Sequence, residues 1–535
     1  MRLLTTLASF CLLLAVPALA AFGITSSSSA IILDSGAGLT VTISTTSGDI
    51  TSILYGSKQL QDSSKKSHIA SGLGSATVNY KVTNDYIVVT TTSDEIGGDL
   101  THYTIMKNGE NTRASFLPSF FYMATRAASE PDVGELRFIF RLNKSVLSSG
   151  YSVSDVEGCT AIEGSDVFDC DGETHSKFYS SKQFIDDQVH GVTGDGVGAW
   201  MVIPGTGYER SSGGPFFRDI DNQGSSQQEL YFYMNSNHMQ TEDYKVGLFG
   251  PYALVINDGS TPSGDLDMSF MDDLSLRSHY AESDRGYVSG TTSGIGSDYA
   301  DNIVVGWKNW TRVSSSGAFT SPAMIPGTYT QTLYKMELEV AAKSSVTVTA
   351  GSTTTANIAS GEDEPDVIWS IGAADGTPRS FLNADLIETM HPSDSRMSSW
   401  GPVVYSVSSD SASSWPMAQF VDVNNGNQIV FTLTEEEAAE DRTIEVGVTS
   451  SFAGGRPQVT VNSYTGGDAP SAPTKIDSRG VTRGTWRGYN IAYKTTVPSA
   501  SLVAGENTAT IDVISGSSGD DFLSPNIVFD YIRFY

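Results

Sequence analysis

The sequence predicts an all-β protein. Three observations carry this: apolar residues recur with a period of two, turn residues punctuate the runs at short intervals, and only one short stretch has helical composition. Leu39, Val41 and Ile43 alternate with Thr40, Thr42 and Ser44. Val78, Tyr80 and Val82 alternate with Thr77, Asn79 and Lys81. Leu136, Phe138, Phe140 and Leu142 alternate with Arg137, Ile139, Arg141 and Asn143. Such alternation predicts antiparallel strands with one buried and one solvated face. The Gly, Ser, Asn and Asp clusters between them suit sandwiches or barrels. The helical stretch, residues 435–442, lies between strand-like segments 428–433 and 443–448 and reads as an excursion within a hairpin.

At roughly 150 residues per domain, 535 residues predict three or four domains. Residues 1–20 read as a secretory signal peptide: Arg2 supplies the positive end, residues 3–16 the apolar stretch, and Ala18-Leu19-Ala20 the cleavage site. The mature chain is therefore expected to begin at Ala21 and to be extracellular. No later run approaches the roughly 20 apolar residues of a membrane span. A first region covers residues 21–283. Around Asp284-Arg285-Gly286 the composition shifts to Gly, Ser and Thr. A compact unit follows over 284–362, about 80 residues, the size of a small immunoglobulin-type sandwich. The acidic run Glu362-Asp363-Glu364-Pro365-Asp366 is either a linker or an acidic loop inside a domain. Residues 363–535 close on strand-like 508–514 and 527–535, a size that suits a jelly roll.

The chain carries 32 Lys and Arg against 61 Asp and Glu, a net charge of −29. That mean field repels polyanions, which argues against nucleic acid and anionic membrane surfaces as partners. Of three cysteines, Cys11 leaves with the signal peptide. Cys159 and Cys170 remain and are expected to form a disulfide in an oxidising compartment, two free thiols being the alternative. Asn143 and Asn309 head Asn-x-Ser/Thr triplets and are candidate glycosylation sites.

Standard catalytic motifs are mostly absent: there is no G-x-S-x-G elbow, phosphate loop, H-E-x-x-H or zinc-spaced cysteine pair. Asp186-Asp187 and Asp272-Asp273 could act as glycosidase carboxylates, but among 61 acids such pairs arise by chance. The placement of cations is more unusual. Residues 137–238 set Arg137, Arg141, Lys177, Lys182, His190, Arg218 and His238 among many aromatics. Arg137 and Arg141 share a strand face, about 13 Å apart. Tyr231 and Tyr233 share another, with Leu230, Phe232 and Met234 opposite. Such a face is either a platform for an acidic sugar chain or an ordinary solvated sheet.

From Ala21 to the C-terminus the chain resembles the fungal rhamnogalacturonan lyases of polysaccharide lyase family 4. The resemblance rests on Gly134-Glu135-Leu136-Arg137-Phe138, residues 160–168, Ser176-Lys177-Phe178-Tyr179-Ser180-Ser181 and Phe184-Ile185-Asp186-Asp187. It continues through Ser212-Gly213-Gly214-Pro215-Phe216, Tyr233-Met234-Asn235-Ser236 with His238, residues 390–397 and residues 451–457. It implies a large galactose-mutarotase-like β-sandwich, a fibronectin-type-III-like sandwich and a jelly roll like carbohydrate-binding modules. It implies β-elimination in rhamnogalacturonan I of the plant cell wall, at the bond from rhamnose to O4 of galacturonate. The family's catalytic lysine and histidine fall on Lys177 and His238, its substrate-binding arginines on Arg137 and Arg141, and its cleft tyrosines on Tyr231 and Tyr233. The cysteine pairs of the family's N-terminal strands and of the stretch after the Asp-Asp segment are missing here, so its disulfides do not transfer.

These residue types suit the chemistry. Removing the weakly acidic C5 proton leaves extra charge on the uronate carboxylate, which fixed cations would stabilise. Arg137 and Arg141 are always charged and can bind carboxylate bidentately. Lys177 would serve as base only if neighbouring cations or desolvation lower its pKa; His238 could then protonate the leaving O4. The reverse assignment is equally open. No catalytic metal or cofactor is expected, though a structural calcium could sit in the C-terminal domain, and the chain is expected to be a monomer. The competing classes are a hydrolase using paired carboxylates, a non-catalytic sugar-binding protein and an aldose epimerase. His391 and Trp400 read as domain-packing residues rather than a second sugar site.

Overall fold

The computed structural model describes residues 21–108, 118–150, 156–164, 166–176, 181–224, 226–236, 243–467, 469–473, 480–486 and 490–535. Its strands fall into three groups along the chain, each with its own core.

In the first group a seven-stranded antiparallel sheet runs in the order Val189–Gly194, Val197–Val202, Gly247–Asn257, Ser119–Ala127, Leu100–Lys107, Tyr86–Ser93, Thr77–Val82. Its inward residues, among them Ile87, Phe121, Met123, Leu254 and Ile256, share a core with Phe138, Phe140, Leu230 and Phe232 of a facing four-stranded sheet. Its outward residues Tyr122, Ala124, Ala253 and Val255 are also covered, by Phe270 and Met271 of a short 3-10 helix, Ser269–Leu274. Burial on both faces explains why Leu100–Met106 is buried without alternation. The Thr77–Val82 strand departs from expectation. It forms, but only Val78 packs partly against the core; Tyr80 and Val82 are 45% and 42% exposed. It is the last strand of the sheet, where no neighbour completes a buried face.

The second group, from Tyr287 to Ala359, is two four-stranded sheets packed around Val288, Val305, Phe319, Leu333 and Val348. Arg285, at the compositional shift, reaches back as a buried fork onto Glu209, with Nη–Oε distances of 2.8 and 3.0 Å. Of the acidic run, Glu362 pairs with Lys335 of this group.

The third group, from Trp369 to Phe534, is two five-stranded sheets closing on Trp415, Phe420, Phe431, Phe529 and Phe534. The expected hairpin at 435–442 is not one. Strands Asn427–Leu433 and Arg442–Phe452 belong to different sheets, and Glu435–Ala438 is a single helical turn in the crossover between them. Thr434 caps that turn, accepting from the Glu437 N–H while the Glu437 carboxylate accepts from Thr434. Among the described residues no helix is long and apolar enough to cross a membrane.

Candidate functional site

The site begins with two paired strands, Glu135–Leu142 and Gln228–Ser236. Leu136, Phe138, Phe140 and Leu142 point into the core, so Arg137, Ile139 and Arg141 take the other face. A register shift after Leu136 sets Arg137 opposite Tyr233, Ile139 opposite Tyr231 and Arg141 opposite Glu229. The four residues expected to bind substrate are therefore gathered on one patch. Ile139 fills the gap between the arginines and packs with Ile220, Tyr231 and Tyr233.

The patch is preorganised and largely covered. The Arg137 guanidinium lies 5.5 Å from the centroids of both tyrosine rings, which themselves stack at 5.5 Å. Its Nη1 donates to the Tyr233 hydroxyl at 3.1 Å, and it pairs with Glu135. Arg141 pairs with Glu229, which also accepts from the Tyr231 hydroxyl and from Gln227. Tyr231 and Tyr233 are each 4% exposed. They serve as the bed on which Arg137 lies rather than as open stacking surfaces. Burial pushes both phenols well above their ordinary pKa, with the Glu229 charge adding to the effect at Tyr231 and the Asp219 charge at Tyr233. Burial alone would lower the Arg137 pKa; Tyr233, Tyr231 and Asp219 reverse this and keep it charged. Among the described residues the Nε atoms of Arg137 and Arg141 are buried without an acceptor. Beside Arg137 a cavity of about 400 Å³ opens, lined by Ser71, Gly72, Val133, Gly134 and Glu135. Lys177 and His238 lie outside the described residues, following strands that end at Ser176 and Ser236.

Beneath Tyr231 lies a buried network that sequence reasoning did not single out. His190 Nδ1 meets Asp187 at 2.8 Å and its Nε2 meets the main-chain oxygen of Tyr231 at 2.6 Å. Both partners are acceptors, so both ring nitrogens must carry protons: His190 is an imidazolium. Burial opposes that charge, but Asp187 and Asp221 outweigh it and push the pKa up to about 9. The Tyr208 hydroxyl donates to the second oxygen of Asp187. Asp221 is raised well above the carboxylate range by burial and by Asp187, against the opposing pull of His190, Arg218 and Lys182. Donor atoms of Asp187, His190 and Asp221 lie within 4.8 Å of one another, close enough for a cation. A doubly protonated ring offers no lone pair, so the cluster fits an ion-pair network better than a metal site. Asp187 and His190 are three residues apart, but Tyr208, Asp221 and the Tyr231 carbonyl come from other segments, so no local motif announces the network.

Three of the four acids in the two pairs are otherwise engaged. Asp187 is buried in this network, Asp186 pairs with Arg312 and Asp272 with His279. Cys159 and Cys170 form the expected disulfide, S–S 2.08 Å, across the three-stranded sheet Thr160–Glu163, Val167–Cys170, Glu173–Ser176. In the Ser212-Gly213-Gly214-Pro215-Phe216 motif, Gly213 has φ +102°, and a Cβ there would fall 2.4 Å from the Phe217 ring. Only glycine fits. Asn143 is half-buried, accepting from Ser145, whereas Asn309 is 6% exposed with its Oδ1 enclosed, which leaves little room for a glycan. Trp400 and His391 are buried; the Trp400 indole donates to Pro392 O and its ring meets Phe420 and Phe522 edge-on.

Family models match the three groups in turn: rhamnogalacturonan lyase B, N-terminal, at residues 22–278, then polysaccharide lyase family 4, domain II, at 284–356, and domain III at 367–534. Rhamnogalacturonate lyase A of Aspergillus aculeatus is 50% identical over 541 residues, covering 99% of each chain. Rhamnogalacturonate lyase A of Emericella nidulans is 48% identical over 542 residues, again 99% of each. The probable rhamnogalacturonate lyase A of Aspergillus flavus is 50% identical over 527 residues, 96% of each. Among solved structures, galactose 1-epimerase from Lactobacillus acidophilus NCFM aligns with 43% of this chain and 95% of its own at 7% identity and TM-score 0.26, a likeness too slight to bear on function. Relatives matched over nearly their full length and three family models in order give one conclusion: this chain belongs to polysaccharide lyase family 4.

Proposed function

We propose that the protein is a secreted endolyase that cleaves rhamnogalacturonan I of plant cell-wall pectin by β-elimination. The bond broken joins rhamnose to O4 of galacturonate, and the new non-reducing end is an unsaturated galacturonate. The observation that carries this reading is the pair of arginines on one strand face, in a chain at −29, each keeping a buried Nε donor without an acceptor among the described residues. A uronate carboxylate is the kind of acceptor those donors lack.

The reaction removes the C5 proton, forms the C4–C5 double bond and expels O4, which takes a proton. The carboxylate gains charge as C5 loses its proton, so a cation fixed before the reaction lowers the barrier more than one that must reorganise. Arg137 is fixed in this way by two rings and a hydroxyl. Lys177 and His238 are the two proton-transfer groups, one taking the C5 proton and the other delivering a proton to O4. No divalent metal is needed in this scheme, and the enzyme acts as a monomer.

The test is to incubate the protein separately with rhamnogalacturonan I and with homogalacturonan and to follow the ultraviolet absorbance of unsaturated uronate. Absorbance should rise with the first polymer alone. Release of reducing ends without absorbance would make it a hydrolase. Binding without release of ends would make it a sugar-binding protein.

A further inference from the structure

The C-terminal domain grips the strand that leads into Lys177. On one side, strand Glu173–Ser176 ends one residue before Lys177. Thr174 in that strand donates its N–H and its hydroxyl to Asp394 Oδ2, at 2.7 and 2.9 Å. The same hydroxyl oxygen accepts from the His391 N–H at 2.9 Å, and Ser395 N–H donates to Gly172 O at 2.8 Å. Thr174 and Asp394 are each 3% exposed. On the other side, Ser181 is gripped by Arg218, Nε to its hydroxyl at 3.0 Å and Nη2 to its main-chain oxygen at 2.6 Å. Arg218 Nη1 in turn lies 3.4 Å from Glu388. Glu388, His391, Asp394 and Ser395 all belong to the C-terminal domain.

Asp394 is built to stay ionised in this setting. Burial would raise its pKa, but a fork from Arg396 and the two Thr174 donors hold it well below the carboxylate range. Buried, charge-assisted contacts of this kind are directional and position their partners closely. A module present only to bind carbohydrate has no need of a buried acid committed to another domain's strand.

We propose that Asp394 is a positioning residue for the elimination: through Thr174 the C-terminal domain fixes strand Glu173–Ser176, which leads directly into Lys177. This rests on the reading of Lys177 as a proton-transfer group. A displacement of about 1 Å at a reacting group can cost on the order of a hundredfold in rate, so a clamp outside the substrate site can still control turnover.

The test uses the full-length enzyme on rhamnogalacturonan I, with kcat taken per folded molecule. Thr174→Val removes the hydroxyl that joins His391 to Asp394 with little change of shape. It should lower kcat about tenfold or more while KM, set at the arginine patch, stays within about twofold. Thr174→Ser should restore most of the loss. Asp394→Asn should act in the same direction, and a Thr174→Val, Asp394→Asn double variant should lose less than the product of the single losses, because both break one link. Lys177→Ala is measured alongside. Wild-type kcat in both Thr174→Val and Asp394→Asn, with Lys177→Ala inactive, would overturn the positioning role alone. A rise in KM at unchanged kcat would overturn it too. An active Lys177→Ala would overturn the reading beneath it and the clamp's purpose with it.

Discussion

Raising the pH should discharge His190 long after ordinary histidines have lost their proton, and the protein should loosen as it does. The groups that face the ring are the Asp187 carboxylate, the Tyr231 carbonyl and Asp221, whose own pKa is raised well above the carboxylate range against the pull of Arg218 and Lys182. Its folded pKa of about 9 stands above the ordinary 6.5. The gap, at about 1.36 kcal/mol per pH unit, is worth about 3 kcal/mol. Because the folded value is the raised one, that stability is fully present below about pH 6.5, declines as pH rises above it, and is lost by the time pH passes about 9. The assay is NMR of histidine-labelled protein through this range, with His190→Asn identifying the resonance, alongside unfolding free energies at each pH. The ring should stay doubly protonated through about pH 8, and over the same interval unfolding should release a proton from it. A midpoint at or below 6.5 would refute the reasoning, and would mean that one of the two ring contacts is not a hydrogen bond.

Further outcomes follow from the patch and the proposed chemistry. Lys177→Ala and His238→Ala should each lower turnover by about 10²-fold or more with melting temperatures near wild type; a residual rate above about a tenth would remove either from the mechanism. Arg137→Ala should lower kcat about a hundredfold as well as raise KM, since the charge it faces grows in the transition state; a change in KM alone would reduce it to a binding group. Exhaustive chelation should leave turnover intact, and calcium-restored activity would contradict that. Raising salt from very low to about 0.15 M should leave KM unchanged or lower, because it screens repulsion between two polyanions before it reaches the short arginine contacts.

The all-β class and the residues that share each strand face are legible in the sequence, for a physical reason: a period of two fixes which residues share a face whatever they pack against. That places Arg137 with Arg141 and Tyr231 with Tyr233; their roles come from the family resemblance, and their meeting on one patch comes from a strand pairing that periodicity does not show. What covers a face is not local. Tyr231 and Tyr233 read as open platforms, yet they are buried, because Arg137 and Glu229 close over them. Tyr80 and Val82 show the reverse case, correct alternation on a strand that is the last of its sheet among the described residues. The crossover at Glu435–Ala438 was misread because two strands close in sequence go to opposite sheets, a choice made by the whole jelly roll. The Thr174–Asp394 link spans 220 residues, and nothing in either segment marks its partner.

The central claim is elimination, and the origin of the oxygen at the cut tests it most directly. Rhamnogalacturonan I oligosaccharides of one length are cleaved in water enriched in the heavy oxygen isotope, and the products are weighed. In elimination the C4–O4 bond breaks and the bridging oxygen stays with rhamnose. The product masses should therefore add up to that of the substrate, one fragment should begin with a uronate lacking the elements of water, and the new rhamnose end should carry no label. Label on that rhamnose, with products together heavier than the substrate by one water, would contradict the account.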